Sequence, residues 1–215
     1  MNYSFRKKNK TVKYIVLHYT GMEDFKSAYS RLNDPLSDVS AHYLIQKSGK
    51  IYNLICPRMK AWHAGKSQWK NEKSLNDISI GIELENKGHD YRYKKFTNKQ
   101  YFSLGKLINS LKNRYAIIDE NIIFHSDIAP NRKKDPGEKF DLSKINILRF
   151  NNLIIHKKTP IKNMMKIYGF SEDYIKIYYY DCIMAVKRSL KYKKIDRIID
   201  KKFKKDFYNL LINKY

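Results

Sequence analysis

The apolar positions of this chain change period several times, and the changes divide it into elements. Residues 12–17 (V-K-Y-I-V-L) are short, apolar and β-branched, which predicts a buried strand. Residues 23–32 read as a helix that Asn33-Asp34-Pro35 breaks. Residues 42–46 and 51–55 read as two strands joined by the turn Lys47-Ser48-Gly49-Lys50. Residues 78–85 (I-S-I-G-I-E-L-E) alternate strictly, so Glu83 and Glu85 share one strand face and the apolar residues the other. Over 98–115 the period becomes helical, with Tyr101, Leu104, Leu107, Ile108 and Leu111 as the apolar stripe and Thr97 as the N-cap. A strand at 121–125 precedes a loop at 127–141 that contains Pro130, Pro136 and Gly137. Beyond Thr159-Pro160 the pattern is helical, at 161–168, 178–192 and 203–213, with Gly169 where a C-cap belongs. The predicted fold class is therefore α/β (α+β). A central mixed β-sheet flanked by helices spans 1–157, and a small helical domain spans 158–215.

Composition narrows the classes further. At 215 residues the chain suits one mid-sized domain with an appendage, and 42% hydrophobic residues supply a packed core. The net charge of +23 suggests an anionic partner. Its distribution weakens that reading: residues 151–215 hold 16 basic and 6 acidic side chains, and the remaining excess is spread along the chain. The basic residues are mostly Lys in a background rich in Asn, Ile and Tyr, which points to an AT-biased composition. No nucleic-acid-binding motif accompanies them, so no nucleic-acid partner is expected. Cys56 and Cys182 are far apart and are expected to be reduced thiols. No apolar run approaches the roughly 20 residues of a membrane span or a signal sequence, so a cytoplasmic location is expected, an envelope location requiring another export route. A monomer is expected.

The chemistry-bearing residues fall at strand ends and in loops. His18 closes the first strand in L-H-Y-T, His125 closes a later one in F-H-S-D-I-A-P, and Asp135 follows in R-K-K-D-P-G. Two imidazoles and a carboxylate are the ligand set of a zinc site with three protein ligands that keeps its fourth position for water. Each of these residues alone is a weak signal, since a histidine at a strand end is more often structural.

The surrounding strings carry more. L-H-Y-T, S-A-H-Y-L-I, A-W-H-A-G, N-D-I-S-I-G-I-E-L-E-N and H-S-D-I-A-P-N-R-K-K-D-P-G occur in this order. Together, over residues 11–145, they resemble the type 2 N-acetylmuramoyl-L-alanine amidase family. The resemblance implies a Zn2+ cofactor held by His18, His125 and Asp135. It implies hydrolysis of the amide between N-acetylmuramic acid, or its anhydro form, and L-alanine, in peptidoglycan or muropeptides. It gives Glu83 the proton transfers and Lys133 the developing oxyanion. Pattern alone leaves Glu83 and Glu85 unseparated, and reads Arg132 and Lys134 as solvated charges turned away from Lys133. Trp62, His63, Ala64 and Asn76 are the implied substrate contacts, against a packing role, and His42 supports the site through a hydrogen bond. Asp127 either orients an imidazole or caps a turn, and His89 and His156 read as exposed loop residues. Phage-type relatives carry a catalytic Tyr just before the second-motif His; Ala41 stands there, as in the bacterial branch that relies on the Glu. The helical segment resembles a diverged peptidoglycan-binding module, with a plain helical cover over the enzyme domain as the alternative. The competing class is a binding protein that recognises peptidoglycan without cutting it.

Overall fold

A computed structural model describes residues 2–150 and 153–213. Its centre is a five-stranded mixed sheet built from β2 (Tyr14–Tyr19), β3 (Tyr43–Ile45), β4 (Ile51–Asn53), β8 (Ser79–Leu84) and β9 (Ile122–Phe124), in the order β4-β3-β8-β2-β9. The contacts of β2 with β8 and β9, and of β3 with β8, are parallel; β3 and β4 form the antiparallel hairpin expected from the Lys47–Lys50 turn. Two further short pairs were not visible in the apolar pattern: β1 (Tyr3–Phe5) with β5 (Met59–Ala61), and β6 (Gln68–Trp69) with β7 (Glu72–Lys73). They are two or three residues long, too short to establish an alternation.

The parallel strands are buried on both faces. Ile15, Leu17, Ile80, Ile82, Leu84, Ile122 and Phe124 meet Tyr101, Leu104, Ile108 and Leu111 of α2 (Asn98–Tyr115). Thr97 caps this helix: its hydroxyl accepts from Gln100 N–H while the Gln100 side chain accepts from Thr97 N–H. α1 (Phe25–Asn33), capped by Asp24, packs Leu32 with Ala41 and Leu44, beside the β3–β4 hairpin.

Tyr14, Val16 and Ile123 face the opposite way and share a core with the C-terminal helices α4 (Ile161–Tyr168), α5 (Glu172–Ile177), α6 (Tyr179–Ser189) and α7 (Lys201–Leu211). The turn α3 (His125–Ile128) lies between them. Trp69, Tyr168, Phe203 and Phe207 are almost fully enclosed there, each worth about 1.5–3 kcal/mol of burial. The C-terminal helices thus close one face of the sheet. α5 adds a helix within the expected interval before α6, and Gly169 ends α4 at a φ of 132°. No helix among the described residues is long and apolar enough to cross a membrane. Cys56 and Cys182 are both free thiols, the first exposed and the second buried.

Candidate active site

Register builds the site. In the parallel pairing of β2 with β8, His18 stands opposite Glu83, both at the carboxyl ends of their strands, where open α/β sheets bind ligands. β9 ends one residue before His125, which opens α3 instead of closing the strand as its sequence suggested. Asp127 causes the turn: its carboxylate accepts from Phe124 N–H at 2.9 Å. Ser126 N–H donates to the Asp135 carbonyl at 2.9 Å, which brings the loop carboxylate to the histidines.

His18 Nδ1, His125 Nδ1 and Asp135 Oδ2 form a triangle with sides of 2.9, 3.0 and 3.0 Å, and all three residues are buried. They are the described cluster able to hold a metal ion. The fit is good: a tetrahedral ion with bonds of about 2.0–2.2 Å spaces its ligand atoms about 3.4 Å apart, so three lone-pair donors converge on one centre with little adjustment. Burial, reinforced by His125, lowers His18 to a pKa of about 4, so its imidazole is neutral at pH 7.

Glu83 and Lys133 border the same groove, whose volume is about 640 Å³. Glu83 Oε2 is enclosed and has no hydrogen-bond partner among the described residues. Burial and the neighbouring Asp135 push its carboxyl well above the ordinary value, with the Lys133 ammonium opposing them. Glu85, which the strand pattern could not separate from Glu83, lies beyond β8: it accepts from Lys47 N–H at 2.9 Å and pairs with the Lys47 ammonium at 3.1 Å, holding the hairpin turn.

The other expected residues divide. Trp62 and His63 line the groove; Ala64 is fully buried, and neither it nor Asn76 is among the lining residues. Asn76 Oδ1 accepts from His63 N–H at 3.1 Å and Ala64 N–H at 2.7 Å, so it clamps the A-W-H-A-G segment from behind. His42 is fully buried, accepts from Gly81 N–H at 2.9 Å and thereby ties β3 to β8. Arg132 is no free surface charge: it donates to the Ala64 and Lys66 carbonyls and joins the two groove loops.

His89 differs from its exposed-loop expectation. Its Nδ1 lies 2.8 Å from the Tyr19 hydroxyl and its Nε2 lies 3.0 Å from Glu138, with its ring stacked on Tyr93. These contacts fix the 88–91 loop, whose Asp90 and Tyr91 border the groove. The motif G-H-D-Y carried no recognisable signal for this role, because its partners lie 70 and 49 residues away. His156 is exposed, as expected.

The parallel strands of a mixed sheet, with two histidines and a carboxylate converging at their carboxyl ends beside an enclosed glutamate and a lysine that has no side-chain partner among the described residues, define a candidate metal-dependent hydrolase. Residues 8–138 match the family model for N-acetylmuramoyl-L-alanine amidase, and the chain belongs to that family. It is 41% identical over 145 residues to the amidase AmiD of Escherichia coli K12, covering 60% of this chain and 50% of that protein. It is 43% identical over 110 residues to the 1,6-anhydro-N-acetylmuramyl-L-alanine amidase AmpD of the same organism, covering 51% and 58%. The chain thus spans about half the length of the curated relatives it matches. Among solved structures, E. coli AmiD in complex with anhydro-N-acetylmuramic acid-L-Ala-D-gamma-Glu-L-Lys superposes with a TM-score of 0.77 at 29% identity, over 95% of this chain and 90% of that one. AmpDh3 of Pseudomonas aeruginosa gives 0.78 at 27% identity, over 93% and 91%. Coverage this wide takes in the C-terminal helices as well as the family-matched region.

Proposed function

We propose that this protein is a zinc-dependent N-acetylmuramoyl-L-alanine amidase that hydrolyses the amide joining the lactyl group of N-acetylmuramic acid, or its anhydro form, to L-alanine. The observation that carries the reading is the convergence of His18, His125 and Asp135 within one groove that Glu83 and Lys133 also border. When bound, a zinc ion on these three residues supplies Lewis acidity and lowers the pKa of water.

The chain's own residues do the rest. Glu83, unpaired and enclosed, takes the proton of the attacking water and returns it to the departing alanine nitrogen, as base and then acid. Burial suits it to that double role, because a carboxyl with a raised affinity for protons is a competent acid near neutral pH. The Lys133 ammonium has no side-chain partner among the described residues and faces the groove, where it stabilises negative charge on the carbonyl oxygen. Trp62 offers an aromatic wall for sugar or peptide. All these residues fall within 1–157, which we assign as the catalytic part; residues 158–215 form the helical part that backs it.

The AmpD relatives are named for an anhydro-muramyl substrate, and soluble anhydro-muropeptides turned over in cell-wall recycling are the substrate we propose, at a cytoplasmic location. The test is cleavage of purified MurNAc-tripeptide with chelator and with zinc restored. Release of free tripeptide that stops with chelator and returns with zinc is expected. Binding without release under every condition would move the protein to the recognition class.

A further inference from the structure

Two stretches have no part in the chemistry above: His63-Ala64, within A-W-H-A-G, and Ser79–Gly81 at the start of β8. They meet behind the histidines. His18 presents Nδ1 to His125 and Asp135, and its other nitrogen, Nε2, lies 3.0 Å from His63 Nδ1. His63 Nε2 lies 3.2 Å from Ser79 Oγ, and the Ser79 hydroxyl donates to the Leu75 carbonyl at 2.6 Å.

Only one direction of donation satisfies this chain. A carbonyl accepts and never donates, so the single Ser79 proton is committed to Leu75. Ser79 Oγ must then accept from His63, which places the one proton of a neutral His63 on Nε2. Its Nδ1 is left as an acceptor and takes the His18 Nε2–H. Neutral His18 therefore has no proton on Nδ1, and that lone pair points at the His125–Asp135 centre. The same segment addresses His125: its Nε2 faces the Ala64 carbonyl at 3.4 Å, which can only accept, so the neutral imidazole that a metal ligand requires carries its proton on Nε2 and offers Nδ1.

The segment is itself immobilised. Asn76 holds the amides of both His63 and Ala64. His63 is 7% exposed, and its ring lies across Gly81, where an added Cβ would come within 2.3 Å of His63 Cγ. Glycine in the middle of β8 is thus explained by close approach of a ring. Although His63 borders the groove, both its ring nitrogens are engaged, which leaves none for substrate.

We propose that residues 63–64, clamped by Asn76 and backed by Ser79, form a bracket that sets the tautomers of both histidine ligands, with His63 as the positioning residue for His18. The proposal rests on the reading of His18, His125 and Asp135 as a metal centre.

Two measurements test it. Long-range 1H–15N correlation spectra of the metal-free protein read the imidazole tautomers directly, and His18 is expected to carry its proton on Nε2. Zinc affinity is then measured by competition with a chromophoric chelator at neutral pH for wild type, Ser79→Ala and His63→Ala. Each variant is expected to bind zinc about 10–100-fold more weakly while its circular dichroism stays that of wild type. An Nδ1 proton on metal-free His18 would overturn the proposal, as would affinities of both variants within about twofold of wild type. Should His63→Ala fail to fold, Ser79→Ala and the spectra still decide. A wild-type protein that binds no zinc would defeat the metal-centre reading instead, and the tautomer would still be read from the metal-free spectra.

Discussion

Glu83 and Glu85 illustrate how two like residues acquire different duties. Both belong to one alternating run, yet Glu85 is spent on the Lys47 turn while Glu83, in the groove with His125 and Asp135, keeps an oxygen that has no partner among the described residues. Glu83→Gln preserves shape and removes the proton acceptor, so amide cleavage is expected to fall by about 10²–10⁴-fold with zinc binding retained. A kinetic comparison at saturating substrate checks this, and turnover within a few-fold of wild type would remove Glu83 from the mechanism. Lys133→Met removes a charge that borders the groove and has no side-chain partner among the described residues. It is expected to lower kcat by about 10²–10³-fold with little effect on KM. A change confined to KM would make Lys133 a substrate anchor.

Between elements, the decisive joint is Asp127. Its carboxylate accepts from Phe124 N–H, pairs with Arg149 at 2.9 Å and accepts from the Tyr168 hydroxyl at 2.8 Å. One buried residue therefore turns the chain after β9, directs His125 and fastens α4 to the sheet. Arg149 is buried among Trp69, Phe124, Phe150 and Tyr168, at 5.0–5.9 Å from their rings. Removing Asp127 would strand that cation in an apolar setting, and Asp127→Ala is expected to cost about 3–5 kcal/mol, read by urea denaturation. A cost under about 1 kcal/mol would show that water replaces the carboxylate. The sequence offered a turn cap or an imidazole partner for Asp127; the cap is realised, and the other contacts are to Tyr168 and Arg149, 41 and 22 positions along the chain. Local pattern cannot reveal partners at such separations.

For the molecule as a whole, the sheet and the C-terminal helices share one core. A chain ending at residue 157 would expose Trp69, Val16 and Ile123 and is expected to be poorly soluble and to bind a hydrophobic dye. A soluble, fully active 1–157 fragment would instead make the helices dispensable. Acid sensitivity also belongs to this scale. Burial lowers His42 from the usual 6.5 to about 3. Above pH 6.5 both folded and unfolded forms are neutral and nothing is lost. Between about 6.5 and 3 the unfolded chain binds a proton that the folded one refuses, so stability falls with pH by up to about 1.4 kcal/mol per unit for this group. Urea midpoints measured from pH 7 to 4 should decline, and His42→Gln, if folded, should flatten the slope.

The sequence by itself determined the periodic elements and the family. The alternation of 78–85, the stripe and cap of 97–115 and the helical C-terminal pattern are local properties, set by neighbours within a few positions. The order of five motifs identified the relatives with no knowledge of packing. What remained for tertiary structure was every choice among similar residues. Which glutamate faces the groove, what His63 and Asn76 hold, why Gly81 lacks a side chain and what Asp127 fastens all depend on strand register and on contacts far apart in sequence. A hydrogen bond requires a partner within about 3 Å in a given direction, and only the folded chain brings those partners together.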